Sequence, residues 1–217
     1  LNSYHTKALQ QMDRIEKILR DQREELLSTD FTQFVSRKEE AEIDLNSKLA
    51  QIVIGVRRCG KSTLCQKVLV QSNVNFAYVN FDDETLAFLQ SSQLNDVLEM
   101  LYRIYGSFTH LFMDEIQNIA SWHLFVNRLL RQGIHLVVTG SNANLLSGEL
   151  STHLTGRYNE IRLFPFSFAE YCQANEVDTG ALTTKARGEL LHTLDTYLMR
   201  GGFPETLAMP RQDKYIS

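Results

Sequence analysis

The chain has 217 residues, 43% of them apolar and 22% charged, enough to close one sizeable core, or one core and part of another. A net charge of −4 excludes a global attraction to nucleic acid or anionic lipid, though not a local basic patch. No apolar run approaches the roughly 18–20 residues that span a bilayer.

No signal peptide is expected. The three cysteines, Cys59, Cys65 and Cys172, form no Cys-x-x-Cys pair or zinc-type spacing. An odd, unpatterned count fits reduced thiols in the cytoplasm. Because the chain begins at Leu1, we expect its natural amino terminus to be missing.

In chain order, residues 4–27 predict an amphipathic helix. Tyr4, Ala8, Met12, Ile15 and Leu19 line one face and charged residues the other. That stripe either packs on its own domain or docks a further segment or partner. Ser28-Thr29-Asp30 breaks the helix and can cap the next element. A second helix is expected over 38–49. The run Gln51-Ile52-Val53-Ile54-Gly55 then reads as a buried strand ending in glycine. Helices are expected over 61–71, 94–105, 122–131, 167–173 and 185–199. Strands are expected over 76–81, 110–113, 134–139 and 160–164. Alternating strands and helices predict an α/β fold with a mostly parallel sheet covered on both faces.

The first chemical motif is Gly55-Val56-Arg57-Arg58-Cys59-Gly60-Lys61-Ser62, followed by Thr63, set between a predicted strand and a predicted helix. Glycines let the backbone curl so that successive N–H groups converge on an anion, and the helix after the loop presents its positive end to the same phosphates. Lys61 is placed for the β- and γ-phosphates, and Ser62 for Mg²⁺. One of Arg57 and Arg58 can meet phosphate and the other a carboxylate such as Asp82 or Asp83. Cys59 reads as a small residue tolerated in a tight turn, with a redox role as the alternative.

The second motif is the strand His110-Leu111-Phe112-Met113 ending in Asp114-Glu115. Parallel strands deliver such residues to the carboxyl end of the sheet, where open α/β sheets bind ligands. Asp114 suits Mg²⁺, held directly or through water. Glu115 suits polarising a water for attack on the γ-phosphate. At the next strand end, Ser141 or Asn142 would orient that water or touch the phosphate, or else simply form a small polar turn. Arg157 would stabilise transferring charge, often from a neighbouring subunit, or else form a surface ion pair. No Asn-Lys-x-Asp sequence is present to read guanine, which favours ATP over GTP.

As a set, several segments resemble one family. They are Ile54 through Leu64, Asp114-Glu115-Ile116-Gln117 with Trp122, Thr139-Gly140-Ser141-Asn142-Ala143, Leu154-Thr155-Gly156-Arg157-Tyr158, and Phe164-Pro165-Phe166-Ser167-Phe168-Ala169-Glu170-Tyr171. The family is the bacterial and archaeal ATPases of the AAA superfamily that carry a C-terminal domain of uncharacterised function. The resemblance implies a P-loop NTPase of the additional-strand type, with strand order 5-1-4-3-2, ATP and Mg²⁺. It implies Glu115 as water activator, Ser141 or Asn142 as sensor, and Arg157 as a finger acting in trans within a homo-oligomer. Phe34-Val35-Ser36-Arg37 resembles the family's approach segment, which borders the adenine. Tyr197 through Pro204 resembles the start of the C-terminal domain, expected to be missing here.

These readings divide the chain into an amphipathic helix (1–30), an ATPase core (31–178) and a helical segment opening a truncated domain (179–217). The expected function is Mg²⁺-dependent ATP hydrolysis driving a switch or motor in an attached or partner module, with DNA or protein met through the missing region. The alternative is a nucleotide-gated module with negligible turnover. A small-molecule phosphotransferase fits less well, because a base for water beside the phosphates would waste ATP.

Overall fold

The computed structural model describes residues 2–86, 89–141, 154, 156–180 and 183–208, with side chains from residue 10 to residue 207. Five strands, β1 (Ala50–Gly55), β2 (Phe76–Asn80), β3 (His110–Asp114), β4 (His135–Ser141) and β5 (Tyr158–Leu163), form one sheet ordered β2-β3-β4-β1-β5. Every pairing is parallel. The order is the expected 5-1-4-3-2, and the sheet is wholly rather than mostly parallel. It is the fold of a P-loop NTPase.

Alternation along the strands builds two cores. Ala50, Ile52 and Ile54 of β1, Leu111 and Met113 of β3, and Leu136 and Val138 of β4 point to one face. There they meet α3 (Leu94–Tyr105) and α4 (Trp122–Arg131). Val53, Tyr78, Phe112, Val137 and Ile161 point to the other, against Leu64, Cys65, Val68 and Leu69 of α2 (Lys61–Gln71).

The first helix, α1 (Asn2–Ser28), serves both faces. Ile15 and Leu19 join the first core and Leu26 the second, so α1 crosses the outer edge of β2. Gln22, at the crossing, donates to Asn80 O and accepts from Asn80 N, both at 3.0 Å. Those two bonds close an edge-strand residue that would otherwise lack partners. The stripe from Met12 through Leu19 therefore packs on its own domain.

The helix expected over 38–49 forms only as a 3-10 stretch, Lys38–Glu42. Beyond it, Asp44 Oδ1 accepts from Asn46 N at 2.9 Å and Ser47 Oγ from Leu49 N at 3.1 Å. Short polar side chains that bond their own backbone favour turns over helix.

After β5, Ser167 caps α5 (Phe168–Ala174), its hydroxyl accepting from Glu170 N. Two further helices come after it, α6 (Thr184–Arg200) and α7 (Pro204–Ala208). Among the described residues no helix is long and apolar enough to cross a membrane.

Candidate functional site

The carboxyl edge of the sheet gathers most of the residues singled out by sequence. β1 ends at Gly55, where a Cβ would lie 2.2 Å from Leu163 O and 2.9 Å from Cys59 Sγ, so only glycine lets the loop leave the strand there. The loop runs through Arg58 (φ 66) and Gly60 (φ 96), both left-handed, and enters α2 at Lys61. Cys59 is fully buried, and burial pushes its thiol pKa up, which disfavours the reactive thiolate.

Lys61 is 4% exposed. Its ammonium lies 3.3 Å from Glu115 Oε1 and from Val56 O, and 3.4 Å from Gly55 O. Asp114, 2% exposed, accepts hydrogen bonds from the hydroxyls of Thr139 and Ser62. Burial raises its pKa to about 6, Glu115 adds to the rise, and the two hydroxyls and Lys61 oppose it. Glu115 takes a left-handed backbone (φ 51, ψ 42) that turns it out of the strand. Its N–H donates to Thr139 Oγ1 at 3.0 Å, and its Oε2 accepts from Gln117 Nε2.

Together Arg57, Arg58, Gly60, Lys61, Ser62, Thr63, Asp114 and Glu115 line a cavity of about 450 Å³. Arg57 reaches Asp82 at 3.2 Å, the carboxylate contact anticipated for one of the two arginines, while Arg58 reaches Glu205 at 3.2 Å. Ser141 pairs in register with Gly55 at the same edge. Asn142 lies outside the described residues. Arg157 stands at the opposite, amino-terminal edge, its carbonyl accepting from Ala50 N at 3.0 Å and its guanidinium donating to Asn127 Oδ1 at 3.2 Å.

A second cavity of about 90 Å³ shares Gly60, Thr63 and Pro204 with the first and is otherwise lined by Phe34, Val35, Arg37, Glu40, Leu64, Lys67 and Phe166. Arg37 fixes it. Its guanidinium donates to Glu170 Oε1 at 2.7 Å and to Phe164 O at 2.8 Å, and lies 4.8 Å from the centre of the Phe166 ring. With a further bond from Arg37 Nη1 to Cys59 O at 3.4 Å, one side chain links the approach segment, the loop and the turn after β5.

The donor set suits a hard divalent cation carried in with phosphates. Asp114 is a buried carboxylate with hydroxyls on it, and Ser62 opens the adjacent helix. Among the described residues no group of three or more His, Cys, Asp or Glu forms a self-sufficient metal cage. Mg²⁺ commonly takes one or two protein oxygens and completes its shell with water and phosphate.

Thr139 and Gln117 fall inside motifs legible in the sequence but carry no role there, and Glu205 falls in none. Thr139 was detectable as the one hydroxyl residue in the run Leu136-Val137-Val138-Thr139, where a fully buried polar group at a strand end needs partners. Glu205 comes from far along the chain, and no local pattern announces it.

A family model described as an AAA domain matches residues 47–172, from just before β1 into α5. An uncharacterised protein of Methanocaldococcus jannaschii is 35% identical over 166 residues, covering 76% of this chain and 37% of that protein. One of Haemophilus influenzae is 36% identical over 168 residues, covering 72% of this chain and 40% of that protein. The chain therefore spans less than half the length of these relatives. Among solved structures, AMPPCP-bound DnaA from Aquifex aeolicus superposes with a TM-score of 0.53 at 14% identity, over 82% of this chain and 61% of that one. At that identity the likeness is one of fold.

Proposed function

The chain belongs to the AAA-domain family of P-loop ATPases, and from that premise we propose that it binds ATP with Mg²⁺ and hydrolyses it to drive a switch or motor in an attached or partner module. What supports this reading is one convergence: Lys61 and Ser62 from the loop and Asp114 and Glu115 from β3 line the same phosphate-sized cavity. The smaller cavity beside it suits the adenine, with Phe34, Val35 and Phe166 as apolar walls.

In this mechanism Lys61 leaves the loop carbonyls and Glu115 for the β- and γ-phosphates. Its departure frees the Glu115 carboxylate to accept a proton from the attacking water, while Gln117 holds the other oxygen. Ser62 and Asp114 would hold Mg²⁺, which would supply charge neutralisation on the phosphates. Ser141 or Asn142 would serve to orient the water. Arg157 serves a neighbouring subunit. The division at 30 and 178 stays part of the proposal, as does a DNA or protein partner met through the remainder of a longer chain.

Full-length protein tests this by calorimetric nucleotide binding and phosphate release. Lys61→Ala is expected to lose binding. Glu115→Gln should keep binding and lose about 10²–10³-fold in turnover, the usual cost of removing one well-placed transition-state contact. Equal loss of binding in both variants would overturn the assigned roles.

The Lys61–Glu115 ion pair favours a second reading, a nucleotide-gated module with negligible turnover, because it engages the phosphate-binding cation and the water-activating carboxylate with each other. Magnesium-dependent phosphate release from the full-length protein, abolished by a chelator, would rule that reading out.

A further inference from the structure

The phosphate cavity is also lined by Pro204 and Glu205 of α7, which lie far along the chain from both the loop and the carboxylate pair. The chain brings them there from a fixed anchor. At the end of α6, Gly201 N donates to Tyr197 O at 2.8 Å, and Gly202 O accepts from Phe166 N at 2.7 Å. The Tyr197 hydroxyl donates to Phe166 O at 2.9 Å. A Cβ on Gly202 would stand 2.2 Å from Phe166 O, so the anchor admits no side chain.

From that point α7 extends over the cavity mouth. The Pro204 ring comes within 3.8 Å of where a Cβ on Gly60 would stand. Arg58 Nη1 sits between the two Glu205 oxygens, at 3.3 and 3.2 Å.

This ion pair is built to be exchanged. Its side chains are 64% and 37% exposed, and pairs that exposed contribute little net stability. A carboxylate offers a guanidinium the same pair of acceptor oxygens as a phosphoryl group, which carries more charge and bonds more strongly. Arg58 is already a loop residue lining the cavity where phosphates are proposed to sit.

We propose that Arg58 trades Glu205 for the terminal phosphoryl oxygens of a bound nucleoside triphosphate, and that the trade releases α7 from the cavity mouth while Gly202 stays anchored. The position of α7 then reports triphosphate against diphosphate, because a diphosphate leaves Arg58 on Glu205. The inference rests on the nucleotide binding proposed above and adds its regulation.

Spin labels on Gln71→Cys, at the exposed end of α2, and Leu207→Cys, on α7, give the distance to follow in the full chain. The thiols of this segment, Cys59, Cys65 and Cys172, are buried and escape labelling, and any cysteine elsewhere in the full chain is replaced by serine. The distance distribution is expected to be the same without nucleotide and with ADP. It should shift with Mg²⁺ and a non-hydrolysable ATP analogue. With Glu205→Gln the shifted distribution should already be present without nucleotide. That variant should bind the analogue about two- to fivefold more tightly, the scale on which an exposed ion pair acts.

Analogue bound by calorimetry with no shift would overturn the exchange and leave the ATPase reading intact. So would a Glu205→Gln variant that keeps the unshifted distribution. Absence of any nucleotide binding would remove the ATPase reading itself, and this inference with it.

Discussion

Burial raises the Asp114 carboxyl pKa from its ordinary 3.8 to about 6, with Thr139 and Ser62 opposing the shift. A carboxyl whose folded pKa is raised favours its protonated form in the fold. Its stabilising contribution is therefore present at low pH and is lost as pH rises from 3.8 through about 6. At neutral pH, where Asp114 is charged, roughly 1.4 kcal/mol per tenfold change makes the cost on the order of 3 kcal/mol. Replacing the charge should recover part of it. Asp114→Asn is expected to raise the stability of the nucleotide-free protein at pH 7.5 by about 1–3 kcal/mol, since an amide needs no charge solvation. It should also flatten the wild-type fall in stability between pH 4 and pH 6 and weaken Mg²⁺-nucleotide binding. Thermal melts across pH check both signs at once. A variant less stable than wild type at pH 7.5 would show that the hydroxyls already solvate the anion fully.

Gln22 shows how an element can depend on one side chain that no periodicity reveals. On the helical wheel of α1 it is another polar residue. Only the crossing of β2 gives it the paired bonds to Asn80, which itself lines the phosphate cavity. Gln22→Ala should cost about 1–3 kcal/mol, because the exposed edge loses two bonds and its N–H and C=O lose their buried partners. Urea unfolding should then show a lower midpoint at unchanged slope. An unchanged midpoint would mean that water replaces the side chain without penalty. Legibility followed the same line between local and distant causes. Helices α2, α3 and α4 begin and end where apolar spacing and flanking polar residues put them. A helix is expected over 38–49, but Asp44, Asn46 and Ser47 form turns instead. Lys61, Ser62, Asp114 and Glu115 were legible because a strand must deliver each motif to the sheet's carboxyl edge. The bond from Thr139 to Asp114 and the Arg37–Glu170 pair, 133 residues apart, became visible only with the sheet assembled.

At the scale of the molecule, the sheet separates Arg157 from the cavity. Its carbonyl meets Ala50 at the start of β1, and the phosphate loop leaves from Gly55 at the other end. The six residues of β1 span about 17 Å at the rise of a parallel strand, well beyond one arginine side chain. Arg157 cannot serve the cavity of its own chain in this arrangement. A role in hydrolysis therefore requires a second subunit whose amino-terminal sheet edge faces the cavity, a head-to-tail contact of the kind that closes rings. Two variants separate the possibilities. Lys61→Ala should lack a working cavity but keep its arginine, and Arg157→Ala should have the reverse defect. Each alone is expected to be nearly inactive. Mixed in equal amounts and allowed to exchange subunits, they should recover about a quarter of wild-type phosphate release, because one contact in four then joins an intact cavity to an intact arginine. Wild-type specific activity should also rise with protein concentration until assembly saturates. If Arg157→Ala hydrolyses ATP at the wild-type rate, the arginine is a surface residue bonded to Asn127, and the cavity is complete within one chain.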